Sequence, residues 1–221
     1  MDDSPDSNES VLFTAEQVKK LVQALRITRA GFVLCVAADI LFGAFLVYAF
    51  FDFLLEQFVA HNTGGVTIWR GMSAYKFLKF CVGMAPCLAL VGMVKAFGPS
   101  RQLGFPRLAG SFVCLLLSIP FRLTQNHFHE GSGWQALAPL TLHLLGLGFF
   151  LYYLARLASA FDAKDEMTKI VHGLVGGGVL LGLSILLINI VGLWGLLLPP
   201  LVLIAGSVMV YLRLGRVLRQ L

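Results

Sequence analysis

The chain has 221 residues, of which 57% are hydrophobic and only 13% are charged, and its formal net charge is +5. A soluble globular domain carries roughly 25% charged residues, whereas here the apolar residues form long blocks that are typical of membrane-spanning helices. The composition therefore excludes an ordinary soluble domain and predicts the lipid bilayer as a partner. Basic residues that flank membrane helices explain the positive charge, so no nucleic-acid partner is predicted.

The segment before the first apolar block has two parts. Residues 1–13 are rich in Asp, Ser and Asn, and this composition predicts a disordered tail. Residues 14–29 predict an amphipathic helix, because Thr14 and Gln17 have the spacing of a capping box and an apolar stripe follows. Two interpretations of this helix stay open: it rests at the membrane interface, or it is a helical extension of the first span.

Six apolar blocks follow and predict an all-α fold, a polytopic transmembrane helix bundle over residues 30–213. Residues 170–212 form one long apolar stretch, and we divide it between Gly192 and Gly195, because paired glycines allow a tight turn. Residues 214–221 then form a basic cytoplasmic tail. The predicted cores of the spans are 30–51, 76–96, 107–123, 134–155, 170–190 and 196–213.

Lys and Arg are unequally distributed between the two sides of this predicted bundle. Thirteen of the 17 lie before span one, between spans two and three, between spans four and five, and after span six, and the other four lie on the opposite side. Basic residues accumulate in cytoplasmic loops. We therefore predict that both termini are cytoplasmic and that the protein is integral to the membrane.

Three segments resemble parts of uncharacterised multipass bacterial membrane proteins. They are RLAGSFVCLLLSIPF (107–121), FFLYYLARLASAFDAKDEMTK (149–169) and YLRLGRVLRQL (211–221). The resemblance implies a six-helix bundle in the bacterial cytoplasmic membrane. It implies no known activity and assigns no functional residues.

Span five carries two pairs of glycines with a spacing of four residues, Gly173 with Gly177 and Gly178 with Gly182. This spacing lets helix backbones approach closely, because no side chain separates them. The pattern favours packing within the bundle. Dimerisation between two chains, which would make a homo-oligomer, and a flexible gating helix are the alternatives.

Asp39 is the one charged residue within the apolar run 32–51. Counted from Arg29 at 1.5 Å per residue, it lies about 15 Å deep, near the bilayer centre. A charge at that depth is costly unless it is paired, protonated or facing water. His143 of span four has nearly the same predicted depth, so we predict an intramembrane Asp39–His143 pair. Such a pair acts as a structural lock, or as a proton or transport site; the remaining alternative is that the two do not touch.

The predicted outer loop holds three potential metal ligands, His127, His129 and Glu130. They lack a fourth fixed ligand, so a solvated polar loop is the favoured interpretation, and no metal or other cofactor is predicted. The four cysteines lie inside apolar runs without a Cys-x-x-Cys pair, and we expect free thiols.

No nucleotide-binding loop and no catalytic set is present in the sequence, and Asp39 has no second aspartate for a paired mechanism. We therefore do not predict an enzyme. The leading expectation is a small integral membrane protein with a structural, scaffolding or regulatory role, with a protein partner possible. The alternative is a small transporter or channel that uses Asp39 and His143, and an enzyme acting on lipid is third. A scaffold requires a closed polar pair, whereas a transporter requires a water-accessible cavity beside it.

Overall fold

A computed structural model describes residues 14–59, 66–101, 103–124, 133–161, 167–173, 175, 179 and 198–221. Within these residues the secondary structure is helical and contains no strand, which confirms the predicted all-α bundle. We number the six complete helices in chain order: α1 Ala15–Val59, α2 Val66–Met84, α3 Pro86–Phe97, α4 Phe105–Thr124, α5 Gly133–Ala160 and α6 Leu198–Gln220.

Four helical stretches in the described residues are long and apolar enough to cross a membrane, and they identify a membrane protein. The stretch Ala74–Phe97 spans parts of α2 and all of α3, so the two short helices act as one broken span. The four stretches are Ala15–Phe45, Ala74–Phe97, Phe105–Leu123 and Thr141–Ala160.

Helix α1 continues without a break through the predicted boundary at residue 29. The capping box is formed as expected, because the Thr14 amide donates to Gln17 Oε1 at 3.0 Å and the Gln17 amide donates to Thr14 Oγ1 at 3.2 Å. Leu21 and Leu25 are fully buried in the protein core. This agrees with the interpretation of residues 14–29 as an extension of the first span; a position at the membrane interface stays a prediction.

The helices form a closed circuit around a common core. Helix α1 packs against α3 and α6, α3 packs against α4, α4 against α5, and α5 against α6. At the centre, the rings of Phe32 from α1 and Phe150 from α5 lie 5.4 Å apart. At one end, a 2.6 Å hydrogen bond between Ser100 and Tyr153 ties the α3–α4 connection to α5.

The described part of the chain changes one predicted boundary at the C-terminal end. Helix α6 continues through Gln220, so residues 214–220 are helical and do not form a separate tail. The reason is a short apolar stripe, since Leu214 and Val217 are buried against the core. Most of predicted span five lies outside the described residues.

Candidate functional site

The break between α2 and α3 creates an unusual acceptor inside the bundle. Pro86 has no amide hydrogen, so the carbonyl of Val82, four residues earlier, loses its normal helical donor. The guanidinium of Arg122 supplies a replacement, because its Nη1 donates to the Val82 oxygen at 3.4 Å. Freed carbonyls in membrane helices are commonly bonded in this way by a neighbouring helix. The Val82 carbonyl that Pro86 leaves free is thus one of two acceptors for Arg122 in the bundle interior.

The second acceptor for Arg122 is the Asp39 carboxylate. Arg122 Nη1 lies 3.5 Å from Asp39 Oδ1, and the two side chains are only 7% and 4% exposed. The ion pair joins α1 to α4, and the bond to Val82 adds α2. Burying either charge alone would be costly, and each offsets the cost of the other. A single guanidinium therefore connects three helices in the bundle interior.

Helices α1 and α3 approach each other closely, and α1 is the helix that carries Asp39. Gly31 faces Ala89 so closely that a Cβ atom added at Gly31 would lie 2.8 Å from the Ala89 Cβ and even nearer to its backbone. One turn away, a Cβ at Gly92 would lie 2.5 Å from the Thr28 amide nitrogen. Backbones can pack this tightly only where side chains are minimal. The contact therefore places α1 directly against α3 about two turns before Asp39.

His143 does not form the predicted hydrogen bond with Asp39. Its ring is fully buried, yet neither ring nitrogen has a hydrogen-bond partner among the described residues. The guanidinium of Arg122 is near enough to act on the ring electrostatically. The prediction of a direct pair was wrong because matching depth does not ensure contact, and the longer side chain of Arg122 reaches the carboxylate instead.

Several polar atoms in the same interior have no protein partner within the described residues. They are Asp39 Oδ2, Arg122 Nη2, both nitrogens of His143 and Ser207 Oγ. Buried polar atoms are nearly always hydrogen-bonded, to water where the protein offers nothing. This group of unpartnered atoms and the Asp39–Arg122 pair constitute the candidate functional site, which we call the interior polar cluster.

His143 provides a direct test of this cluster. An unpartnered buried imidazole destabilises a fold by about 1–3 kcal/mol, so we expect His143→Leu to raise the free energy of unfolding by a similar amount. Thermal unfolding in detergent would measure the change. The matched control is His172→Leu, because His172 is exposed and its ring bonds the Thr168 carbonyl at 2.9 Å. A loss of stability in His143→Leu would contradict the unpartnered ring and indicate a bound water or ligand.

The other predicted site residues are only partly described. Gly173 does make a close contact, since a Cβ there would lie 2.7 Å from Met209 Cε of α6. Gly177, Gly178 and Gly182 lie outside the described residues, as do His127, His129 and Glu130. In the part of the chain that is described, no three His, Cys, Asp or Glu side chains are grouped as a metal site. All four cysteines are free thiols.

Sequence reasoning missed Arg122 and the contact between α1 and α3. Arg122 lies at the end of predicted span three, 107–123, where a basic residue normally reaches out to the interface. Two signals were available: Pro86 frees a carbonyl at Val82, and small residues recur at Ala89 and Gly92. Neither signal identifies its partner, since both contacts join residues distant in sequence.

The fold and the interior polar cluster define a helical membrane protein with a buried ion pair. Comparison of the chain with protein-family models, with curated proteins and with solved structures gives no match.

Proposed function

We propose that this protein is a multi-pass integral membrane protein of the bacterial cytoplasmic membrane with a structural, scaffolding or regulatory role. Six spans with both termini cytoplasmic are part of the proposal, which the 13-to-4 distribution of basic residues supports. The observation that carries it is the Asp39–Arg122 pair, because side chains only 4% and 7% exposed favour a closed interior. In this role the pair locks α1, α2 and α4 into one arrangement that presents a constant surface to a partner.

A small transporter or channel is the second candidate. It is favoured by the unpartnered atoms of Asp39, Arg122, His143 and Ser207, since polar atoms of this kind suit water or a transported ion. In this role Asp39 and His143 would exchange protons or contact the ion, and Arg122 would hold the carboxylate in place. The two candidates differ in whether water reaches the interior polar cluster.

Cys35 offers a native probe for this difference. It lies one turn before Asp39 on α1 and is 1% exposed. In a variant with Cys81, Cys87 and Cys114 replaced by Ala, a closed interior predicts no reaction of Cys35 with a small charged thiol reagent in liposomes. The same thiol should react fully after denaturation in sodium dodecyl sulfate.

The control removes all four native cysteines and adds Lys19→Cys at an exposed position of α1, which should react at once. Rapid labelling of Cys35 in the native protein would overturn the closed interior and favour the transporter. In that case, ion flux into proteoliposomes should be lost in Asp39→Asn.

A further inference from the structure

An open apolar groove runs between α3 and α4. Its cavity volume is about 350 Å³. Val91, Val94 and Leu116 are between 45% and 50% exposed although they are large and apolar. The groove is lined by Cys87, Leu90, Val91, Val94, Phe112, Leu116 and Ile119, and Lys95 stands at one end.

The groove is apolar along its length and positive at one end. Lys95 lies in the last turn of α3, eight residues after Cys87, which corresponds to about 12 Å along the helix. Among the described residues no carboxylate pairs with the exposed ammonium group of Lys95. The charge is therefore available to a ligand.

A second cation lies nearby. The ring of Phe97 packs edge-on against Phe112 of the groove and against Phe105, with centroids 5.4 Å apart in both contacts. Phe97 and Phe105 also line an adjoining depression together with Arg101. Arg101 is exposed and, like Lys95, is paired with no described carboxylate. Positive charge thus accumulates where the groove reaches the end of both helices.

We propose that this groove binds an anionic phospholipid, with one acyl chain between α3 and α4 and the phosphate on Lys95. The lining supplies apolar contact to a chain, and the ammonium group of Lys95, which pairs with no described carboxylate, supplies the complement to a phosphate. Arg101 adds positive potential beside it. Basic residues at the cytoplasmic ends of membrane helices attract anionic lipid headgroups in this way. A zwitterionic lipid would occupy the groove but gain less from the positive charge, because its headgroup cation offsets the attraction of its phosphate to Lys95.

The site is tested by native mass spectrometry of the full chain in a neutral detergent. The probes are dioleoyl phosphatidylglycerol and dioleoyl phosphatidylcholine, which share acyl chains and differ in net charge. Wild-type protein should bind the anionic lipid more tightly. Lys95→Gln should weaken that binding about fivefold, the factor that one cation near a membrane surface contributes. Binding of phosphatidylcholine should fall by less, because its choline cation offsets part of the attraction between its phosphate and Lys95.

Two further variants complete the design. Lys19→Gln removes the same charge from an exposed position of α1 that does not line the groove, and it should change nothing. Leu116→Trp fills the groove and should weaken the binding of both lipids. Equal binding of the two lipids by the wild type, full anionic-lipid binding by Lys95→Gln, or undiminished binding by Leu116→Trp would each overturn the site.

Discussion

Asp39→Ala is expected to lower the free energy of unfolding by about 3–5 kcal/mol, the usual cost of leaving one charge of a buried pair alone. The remaining Arg122 guanidinium would be only 7% exposed and without its carboxylate. Reversible unfolding in mixed detergent and sodium dodecyl sulfate would measure the loss. Asp39→Asn should lose less, because the amide oxygen still accepts from Arg122.

The matched control is Glu16→Ala, which breaks the ion pair between Glu16 and Lys20. That pair is shorter, at 2.7 Å, but its side chains are 74% and 65% exposed. Exposed pairs of this kind contribute about 0–1 kcal/mol. If Asp39→Ala costs no more than Glu16→Ala, the buried pair has no role in stability.

The link between Pro86 and Arg122 can be tested by rescue. Arg122→Leu removes the donor to the Val82 carbonyl and leaves the buried Asp39 carboxylate without its cation. Its loss of stability should therefore be at least as large as that of Asp39→Ala. Adding Pro86→Ala to Arg122→Leu restores an amide hydrogen for the Val82 carbonyl and should recover about 1–3 kcal/mol, the cost of a buried unsatisfied acceptor. No recovery would mean that the carbonyl does not depend on Arg122.

The second large effect is expected at the contact between α1 and α3. Gly31→Leu introduces a side chain where even a Cβ would overlap Ala89, so the helices must separate. We expect a loss of about 3 kcal/mol, at the upper end of the usual cost of overpacking. Thermal unfolding in detergent would report it as a lower melting temperature.

Gly98→Leu is the control for this substitution, because no atom lies within 4 Å of a Cβ added at Gly98. Its stability should stay within about 0.5 kcal/mol of the wild type, as for other surface changes. Equal stability of Gly31→Leu and Gly98→Leu would show that α1 and α3 do not pack backbone to backbone.

Local sequence patterns were enough to predict the lipid environment, the secondary structure and the start of α1. Long apolar blocks specify membrane helices because each helix satisfies its own backbone polar groups in lipid. Thr14 and Gln17 specify the capping box because the interaction is local, three residues apart. The burial of Asp39 was also predictable, because a carboxylate at that depth in an apolar run is too costly to face lipid.

The contacts between polar groups of different helices depend on the tertiary packing. The predicted depth of Asp39 matched that of His143. However, the rotation of each helix about its axis decides which side chains face each other, and this rotation cannot be inferred from depth. The backbone contact at Gly31 and Ala89 sets the packing of α1 on α3, and the carbonyl freed by Pro86 gives Arg122 a second acceptor. Arg122 therefore reaches Asp39 from the end of α4, while His143 is left buried without a partner within the described residues.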